Sequence, residues 1–466
     1  MENNCVTKER GVKWRAWLII IFFLVGAPLL IPLGGRDAPA RLEKWVARYN
    51  GPGNGADEPS AIAVDGSGNI YVTGWSRCAG PYDDYATIKY NPSGKQLWAK
   101  RYNGAANGDD KASAIAVDRS GNVYVTGSSK VSSIYLFDYA TVKYNANGRQ
   151  IWVAKYAGPD NLSDAATAIA VDSSGNIYVT GWSEGSSTYY DFATVKYNTK
   201  GKQLWVARYN GPGNLYDEAY AIAVDRTGSV YVTGQSLSPG TDYDYATIKY
   251  DSSGKQLWVA RYNGPGNSWD KANAIAVDGV GNVYVTGFSQ NSGSGQNLDY
   301  ATIKYNRNGK QLWVKRYNGP GNSDDQANAI ATDALGNIYV TGRSYGSGTS
   351  YDYATIKYSP SGNRLWLKRF NSSGKSDDQA RAMAMDRSGN IYITGRSKGS
   401  DFGATYDYAT IMYNTNGKQI RVERYNGSPG SDDEACAIVV DGSGNVYVTG
   451  RSYAGFTLFD YITVKY

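Results

Sequence analysis

The chain has 466 residues and no histidine. That absence removes the Ser-His-Asp and Cys-His arrangements of nucleophilic catalysis and every imidazole metal site. Cysteine is nearly as scarce. Of three, Cys5 lies in the N-terminal segment, which leaves Cys78 and Cys436 and no disulfide framework. No apolar lipobox precedes Cys5, so a lipoprotein is not expected. A dominant charge is also lacking. The net charge is +6, and it falls to +4 without residues 1–40, which hold five basic and three acidic residues. So small and scattered a balance does not suit a nucleic-acid partner. Residues 41–466 contain no linker, no low-complexity block and no change of composition, and they read as one domain. No Asp or Glu stands apart as a unique catalytic group would, and no cofactor-specific residues are present. The chain is therefore not expected to be an enzyme, nor to hold a cofactor or metal.

What is abundant is tyrosine, with 41, and glycine, with 55, both at fixed intervals. The stretch from Ala61 to Gly74 is an apolar run (Ala-Ile-Ala-Val), a turn (Asp-Gly-Ser-Gly-Asn) and a second apolar run (Ile-Tyr-Val-Thr) closed by glycine. Ala-Ile-Ala-Val is too short for a helix and too continuous for a half-exposed strand, so it reads as a strand buried on both faces. Asp65 to Asn69 supplies the residues of a tight reversal, and the second run returns antiparallel. The closing glycine recurs as Gly74, Gly127, Gly181, Gly234, Gly287, Gly342, Gly395 and Gly450, at spacings of 53 to 55 residues. Each hairpin is followed by Asp-Tyr-Ala-Thr-Ile-Lys-Tyr or a close variant, then by a Leu-Trp-x-x-Arg-Tyr segment. Four short strands per unit, labelled a to d, are the pattern of a propeller blade and not of a helical solenoid.

The two ends are complementary. The repeats begin with a lone strand d, Lys44 to Tyr49, and end on a lone strand c, Asp460 to Tyr466. Pairing them closes a ring and removes two exposed sheet edges. The expected fold is therefore all-β, a single eight-bladed β-propeller of four-stranded antiparallel blades over residues 41–466. Its N-terminal strand completes the C-terminal blade, one strand plus three. Arg421 stands where blade 7 would carry its Trp, and Arg421→Trp is expected to be tolerated or mildly stabilising.

Residues 1–40 differ in kind. Lys8, Arg10, Lys13 and Arg15 precede Ala16 to Leu33, which contains no charge, and Ala38-Pro-Ala40 follows. This is the order of a secretory signal peptide. The apolar run is nearly long enough to span a bilayer, so an uncleaved N-terminal membrane anchor is the alternative, with Pro28 and Pro32 disfavouring a straight span. Either way the propeller lies outside the cytoplasm, secreted, periplasmic or on the cell surface.

The repeated Ala-x-Ala-Ile-Ala-Val-Asp-x-Ser-Gly-Asn-x-Tyr-Val-Thr-Gly resembles the bacterial and archaeal SBBP beta-propeller repeat and, more distantly, the NHL repeat. The resemblance covers essentially all of residues 41–466. It implies an exported protein, often of the cell surface or S-layer-like, with no common catalytic residues. The family name implies seven blades, and this chain has eight.

Three rings of aspartate repeat with the blades. Asp65 and its equivalents open the a–b turn, and an Asp capping its own turn explains them better than a calcium loop, which needs more carboxylates. Asp57 and Asp84, with their equivalents, recur in all eight blades and are read as structural. Length varies elsewhere. From the Asp opening strand c to the next closing glycine is always 43 residues, whereas from that glycine to the next such Asp it is 10, 11 or 12. The variation sits in the b–c loops, and variable loops on one rim of a rigid scaffold are how binding faces are made; neutral drift in exposed loops is the competing account. The residue after each closing glycine is the least repeated of the hairpin: Trp75, Ser128, Trp182, Gln235, Phe288, Arg343, Arg396 and Arg451. The expected ligand contacts are Trp75, Trp182, Phe288, Arg343, Arg396 and Arg451, with rings for sugar faces and guanidinium groups for carboxylate or phosphate. The expectation is a monomeric, non-catalytic interaction scaffold for a surface glycan, cell-wall polymer or protein. It would touch a membrane only through residues 16–33 if these are uncleaved. The alternative is an exported propeller enzyme, lyase-like or quinoprotein-like, with a carboxylate site near the axis.

Overall fold

The structure, a computed structural model, describes residues 44–132, 136–292, 297–372, 376–399, 405–427, 430–455 and 458–466. The signal-or-anchor expectation for residues 1–40 lies outside them.

Among the described residues, thirty-two strands, β1 to β32 in chain order, form eight four-stranded antiparallel sheets. In blade 1 the strands are β2 (Asp57–Val64), β3 (Ile70–Arg77), β4 (Asp83–Tyr90) and β5 (Gln96–Tyr102), in the order a-b-c-d. Strand a of each blade meets strand a of the next, so these alanine-rich strands surround the axis and strand d lies outermost. Blade 8 has the order β1-β32-β31-β30, with β1 (Trp45–Tyr49) pairing β32 (Phe459–Lys465) from Trp45↔Lys465 to Tyr49↔Tyr461. The one-plus-three closure is therefore as the sequence led us to expect.

The a–b turn is held by its own aspartate. Asp65 Oδ1 accepts the Ser67 and Asn69 N–H groups, each at 2.9 Å, while Oδ2 accepts Asn69 Nδ2 and Tyr71 Oη, each at 2.8 Å. Both carboxylate oxygens are occupied locally, which is the turn-cap reading of this ring. Gly68 takes the left-handed conformation (φ +78°) that the reversal needs.

Strand a starts earlier than Ala61. It begins at Asp57 and bulges between Pro59 and Ala61, so the strand-b glycine faces the bulge. A Cβ at Gly74 would overlap the carbonyl oxygen of Glu58, and each closing glycine meets the same obstacle in its own blade. Several bulge residues tie blade to blade: Thr167 Oγ1 donates to Ala219 O at 2.8 Å and Asn328 Nδ2 to Ala380 O at 2.7 Å.

Further out, every blade but blade 7 clasps the next one's c–d turn through its strand-d Trp. Trp98 Nε1 and Lys89 Nζ both donate to Ala146 O, at 3.2 and 3.0 Å. Trp366 and Lys357 do the same to Thr415 O, at 3.2 and 3.0 Å. The Trp ring lies between two tyrosines, one from each blade, as Trp98 does between Tyr71 and Tyr144 at 6.0 and 6.1 Å. The strand-c tyrosines add a further tie, Tyr85 Oη donating to Ala140 O of the following blade at 3.1 Å.

Candidate functional site

The rim bearing the b–c loops and the d–a connections is where strand a begins and strand b ends. Its outer part is a repeated polar frame. In blade 6, Asp325 Oδ2 accepts the Gly319 N–H at 2.5 Å and holds the d–a connection. Arg369 on strand d donates to Asp352 Oδ2 at 2.7 Å, to Ser344 Oγ at 2.5 Å and to Tyr317 Oη of the preceding blade at 2.8 Å. Blades 3, 4 and 5 repeat the arrangement through Arg208, Arg261 and Arg316. Two of the three aspartate rings thus anchor loops and neighbouring blades, in keeping with a structural role.

Inside this frame lies a collar that varies from blade to blade. Asp57 pairs with Ser76 and so carries the ladder past Gly74 to Arg77. The residue after each closing glycine is therefore a strand residue and not the root of a loop. In blades 6, 7 and 8 it is an arginine that lies over its own strand c and reaches strand a of the next blade. Arg343 lies over the Tyr351 ring (4.7 Å) and donates to Gln379 Oε1 at 3.4 Å. Arg396 lies over Tyr406 (4.3 Å), pairs with Glu434 Oε1 at 2.6 Å and with Asp377 Oδ2 at 3.1 Å. Arg451 lies over Phe459 (4.5 Å) and bridges Glu434 Oε2 at 3.0 Å and Glu58 Oε1 at 2.9 Å. The last contact crosses the closure seam between blades 8 and 1. Burial opposes the charge of Glu434, but Arg451 and Arg396 together hold its carboxyl below the ordinary range. A cavity of about 10 Å³ beside Glu58, Arg381, Glu434, Cys436 and Arg451 is of the order of one water, too small for a substrate.

The aromatic members of the expected set are spread out. Trp75 carries the Lys111 ammonium of blade 2 over its ring at 4.8 Å. Phe288 is 3% exposed, and Trp269 meets it edge-on at 4.9 Å. Trp182 stacks on Tyr190 at 4.2 Å, and Tyr190 and Tyr189 meet Tyr216 of blade 4 at 5.3 and 5.1 Å. The structure thus joins Arg396 with Arg451 through Glu434. It sets Trp182 in an aromatic cluster on blades 3 and 4, of which Tyr189 is the most exposed.

Sequence reasoning passed over the strand-a residue after Asp57 and its equivalents. That position holds Glu58, Lys111, Glu218, Lys271, Gln379 and Glu434, among others, and supplies the next-blade partner of Trp75, Arg343, Arg396 and Arg451. Its variability in an otherwise repeated strand was a usable signal. Blades 4 and 5 form the most enclosed part of the collar. Glu218 accepts from the Tyr220 hydroxyl and from Gln235 Nε2 (3.1 Å), and Lys271 Nζ lies 3.8 Å from the centre of the Tyr220 ring. Burial pushes the Lys271 ammonium down to about 8, against the pull of Glu218.

A family model described as a beta-propeller repeat, SBBP, matches residues 44–77, 98–135, 151–187, 204–240, 257–293, 312–348, 365–403 and 424–457, one segment for each blade. The chain belongs to the SBBP beta-propeller repeat family. Among relatives of this SBBP propeller, an uncharacterized WD repeat-containing protein of Acanthamoeba polyphaga mimivirus is 23% identical over 492 residues, 78% of this chain and 34% of that protein. The regulatory protein FlaEY of Caulobacter vibrioides is 30% identical over 195 residues, 38% of this chain and 18% of its own length. The chain thus spans well under half of these curated relatives. Of solved structures, a eukaryotic initiation factor aligns with a TM-score of 0.41 and 10% identity over 90% of this chain and 91% of that one. A glucose dehydrogenase gives 0.35 and 12% over 64% of this chain and 95% of that one. Scores this low carry no argument about activity.

Proposed function

We propose that this SBBP propeller is a non-catalytic interaction scaffold, working outside the cytoplasm, that binds a glycan, cell-wall polymer or protein through its b–c rim. One observation carries the reading: 43 residues of each repeat are constant in length, and the insertions fall only in the b–c loops. The Asp, Ser, Arg and Tyr groups beneath those loops are engaged in holding blades together, so the loops can change without disturbing the ring. The contact surface is the cluster of Trp182, Tyr189, Tyr190 and Tyr216, whose rings offer flat apolar faces with polar edges. Arg396 and Arg451 are engaged by Glu434 and Glu58, which favours this aromatic cluster over the arginines as the contact. Likeness to one protein named for WD repeats and to one named regulatory supports an interaction role.

A panel of immobilised bacterial polysaccharides tests it, with the parent compared to a Tyr189→Ser, Tyr216→Ser variant of unchanged melting. A polysaccharide captured by the parent should be lost by the variant; equal capture contradicts this face. The basic segment, apolar run and Ala38-Pro-Ala40 support export. N-terminal sequencing of native protein should begin near Arg41 if the segment is a cleaved signal, and at Met1 or Glu2 in a membrane fraction if it is an anchor.

The enzymatic alternative draws on Glu218, Tyr220 and Lys271. An amine pushed to about 8 is a usable base or nucleophile near neutral pH. Borohydride trapping with small aldehydes and ketones checks it: a Lys271 adduct would favour that reading, and an unmodified Lys271 the scaffold.

A further inference from the structure

The opposite rim, formed by the a–b and c–d turns, carries a second surface. The third position of the a–b turn is Ser67, Ser120, Ser174, Thr227, Ser388 and Ser443 in six blades. In the adjacent blades 5 and 6 it is Val280 and Leu335, exposed by 74% and 81%. The turn does not require them, since Val280 N–H and Leu335 N–H donate to Asp278 and Asp333 just as Ser67 N–H does to Asp65. Leu312 and Leu365 are half exposed at the start of strand d, as is the aliphatic residue at that position in blades 1 to 4 and 7, so Val280 and Leu335 are what sets these two blades apart.

Cations surround these side chains. Arg226, Lys255, Arg307, Lys310, Arg364 and Arg387 all lie exposed on the turns of blades 4 to 7. None of them takes part in an ion pair among the described residues. The turn aspartates of blades 5 and 6 are bound to their own backbone and tyrosines. On the outer side of blades 5 and 6 a groove of about 420 Å³ opens, with Lys315, Asn363 and Arg364 in its wall.

We propose that this rim docks on an anionic phospholipid bilayer, with Val280 and Leu335 entering the acyl boundary and the cations facing headgroup phosphates. Two aliphatic side chains give little affinity alone, and the exposed Lys and Arg on the turns of blades 4 to 7 give the second signal that stable interfacial binding needs. The course of the chain agrees. Trp45 pairs with Lys465, at the c–d end of strand c, so β1 enters the ring from this rim. The uncharged stretch Ala16 to Leu33 precedes it in sequence. Docking here leaves the b–c rim facing away from the membrane.

Hydrogen exchange on the full chain tests the proposal, read at residues 278–281 and 333–336, which reports docking whether or not residues 16–33 hold the chain to the bilayer. With vesicles of equal phosphatidylglycerol and phosphatidylcholine, exchange there should slow about tenfold relative to phosphatidylcholine alone. In 0.5 M salt the difference should vanish. Val280→Ser with Leu335→Ser, which restores the residue type of the other blades, should fold and lose the protection. Equal exchange on the two kinds of vesicle, protection indifferent to salt, or protection that survives in the double variant would overturn the proposal. So would protection by soluble polyphosphate without protection by vesicles, which would point to an anionic polymer.

Discussion

Trp366 donates its indole N–H to the carbonyl of Thr415 in the next blade's c–d turn, and Arg421, one blade further on, faces a blade that has no such turn. Strands c and d of blade 8 come from opposite ends of the chain, and among the described residues no c–d carbonyl stands there to be clasped. Both clasping residues change together in blade 7, Trp to Arg421 and Lys to Met412. Arg421 instead meets Glu423 at 3.2 Å, and Glu423 meets Lys44 of β1 at 2.6 Å. The expectation that Trp would be mildly stabilising at 421 took no account of this missing acceptor. We predict no gain in Tm for Arg421→Trp, whereas Trp205→Ala should cost about 3 kcal/mol by thermal or urea unfolding. A clear rise in Tm for Arg421→Trp would refute the clasp.

Closure also depends on charge. Glu434 is shared between Arg396 and Arg451, and Arg451 reaches Glu58 across the seam. Glu434→Gln leaves two partly buried guanidinium groups facing each other. It should cost about 2 kcal/mol, since Arg396 keeps Asp377 and Arg451 keeps Glu58 while each loses the carboxylate they share. Deleting residues 41–50 removes β1 and should cost several kcal/mol, at about 1 kcal/mol for each ladder hydrogen bond lost. If either variant melts like the parent, the seam is not held as described.

The closing glycines make a sharper test of the backbone. At Gly234 a Cβ would meet the carbonyl oxygen of Glu218, which is backbone and cannot swing away. Gly234→Ala should lose about 3 kcal/mol, while Gly66→Ala, where nothing lies within 4 Å, should change stability by well under 1 kcal/mol. Similar melting of the two variants would contradict the register of the a–b hairpin.

Acid should help this fold before it harms it. Burial raises the carboxyls of Asp164, Asp217, Asp270 and Asp325 to about 6, against hydrogen bonds from serine and backbone. A carboxyl whose folded pKa exceeds its unfolded value binds more protons when folded. Its contribution is present in full below about 4 and is lost as pH rises through about 6. Glu434 acts in the opposite sense, but its contribution is lost only as pH falls below its ordinary 4.5. Tm should therefore be higher at pH 5 than at pH 7.5; a lower Tm at pH 5 would show that these aspartates are charged in the folded ring.

The ring, the blade order and the turn caps were legible because each is written eight times, and a signal repeated at a constant interval overrides local ambiguity. The partners of the collar were not. Arg396 and Glu434 are 38 residues apart and Arg451 and Glu58 are 393 apart, on different strands of different blades. Nothing in a single repeat pairs them. The aromatic and arginine residues after the closing glycines were legible as variable, yet their direction was set by Asp57 pairing with Ser76, which lengthens strand b and turns them toward the neighbouring blade. Phe288 is buried with the Trp269 ring edge-on against it.

A loop exchange puts the scaffold reading to its most direct test. The b–c segments of blades 3 and 4, residues 186–190 and 239–243, which leave Ser238 in place on Arg261 and Asp244, are replaced by the corresponding residues of blade 1, which has the same loop length. The parent and variant are compared for melting and for capture by immobilised polysaccharides. The account predicts melting within about 2 °C of the parent, since surface changes away from special contacts cost little, together with loss of capture. Retained capture with unchanged melting would contradict it.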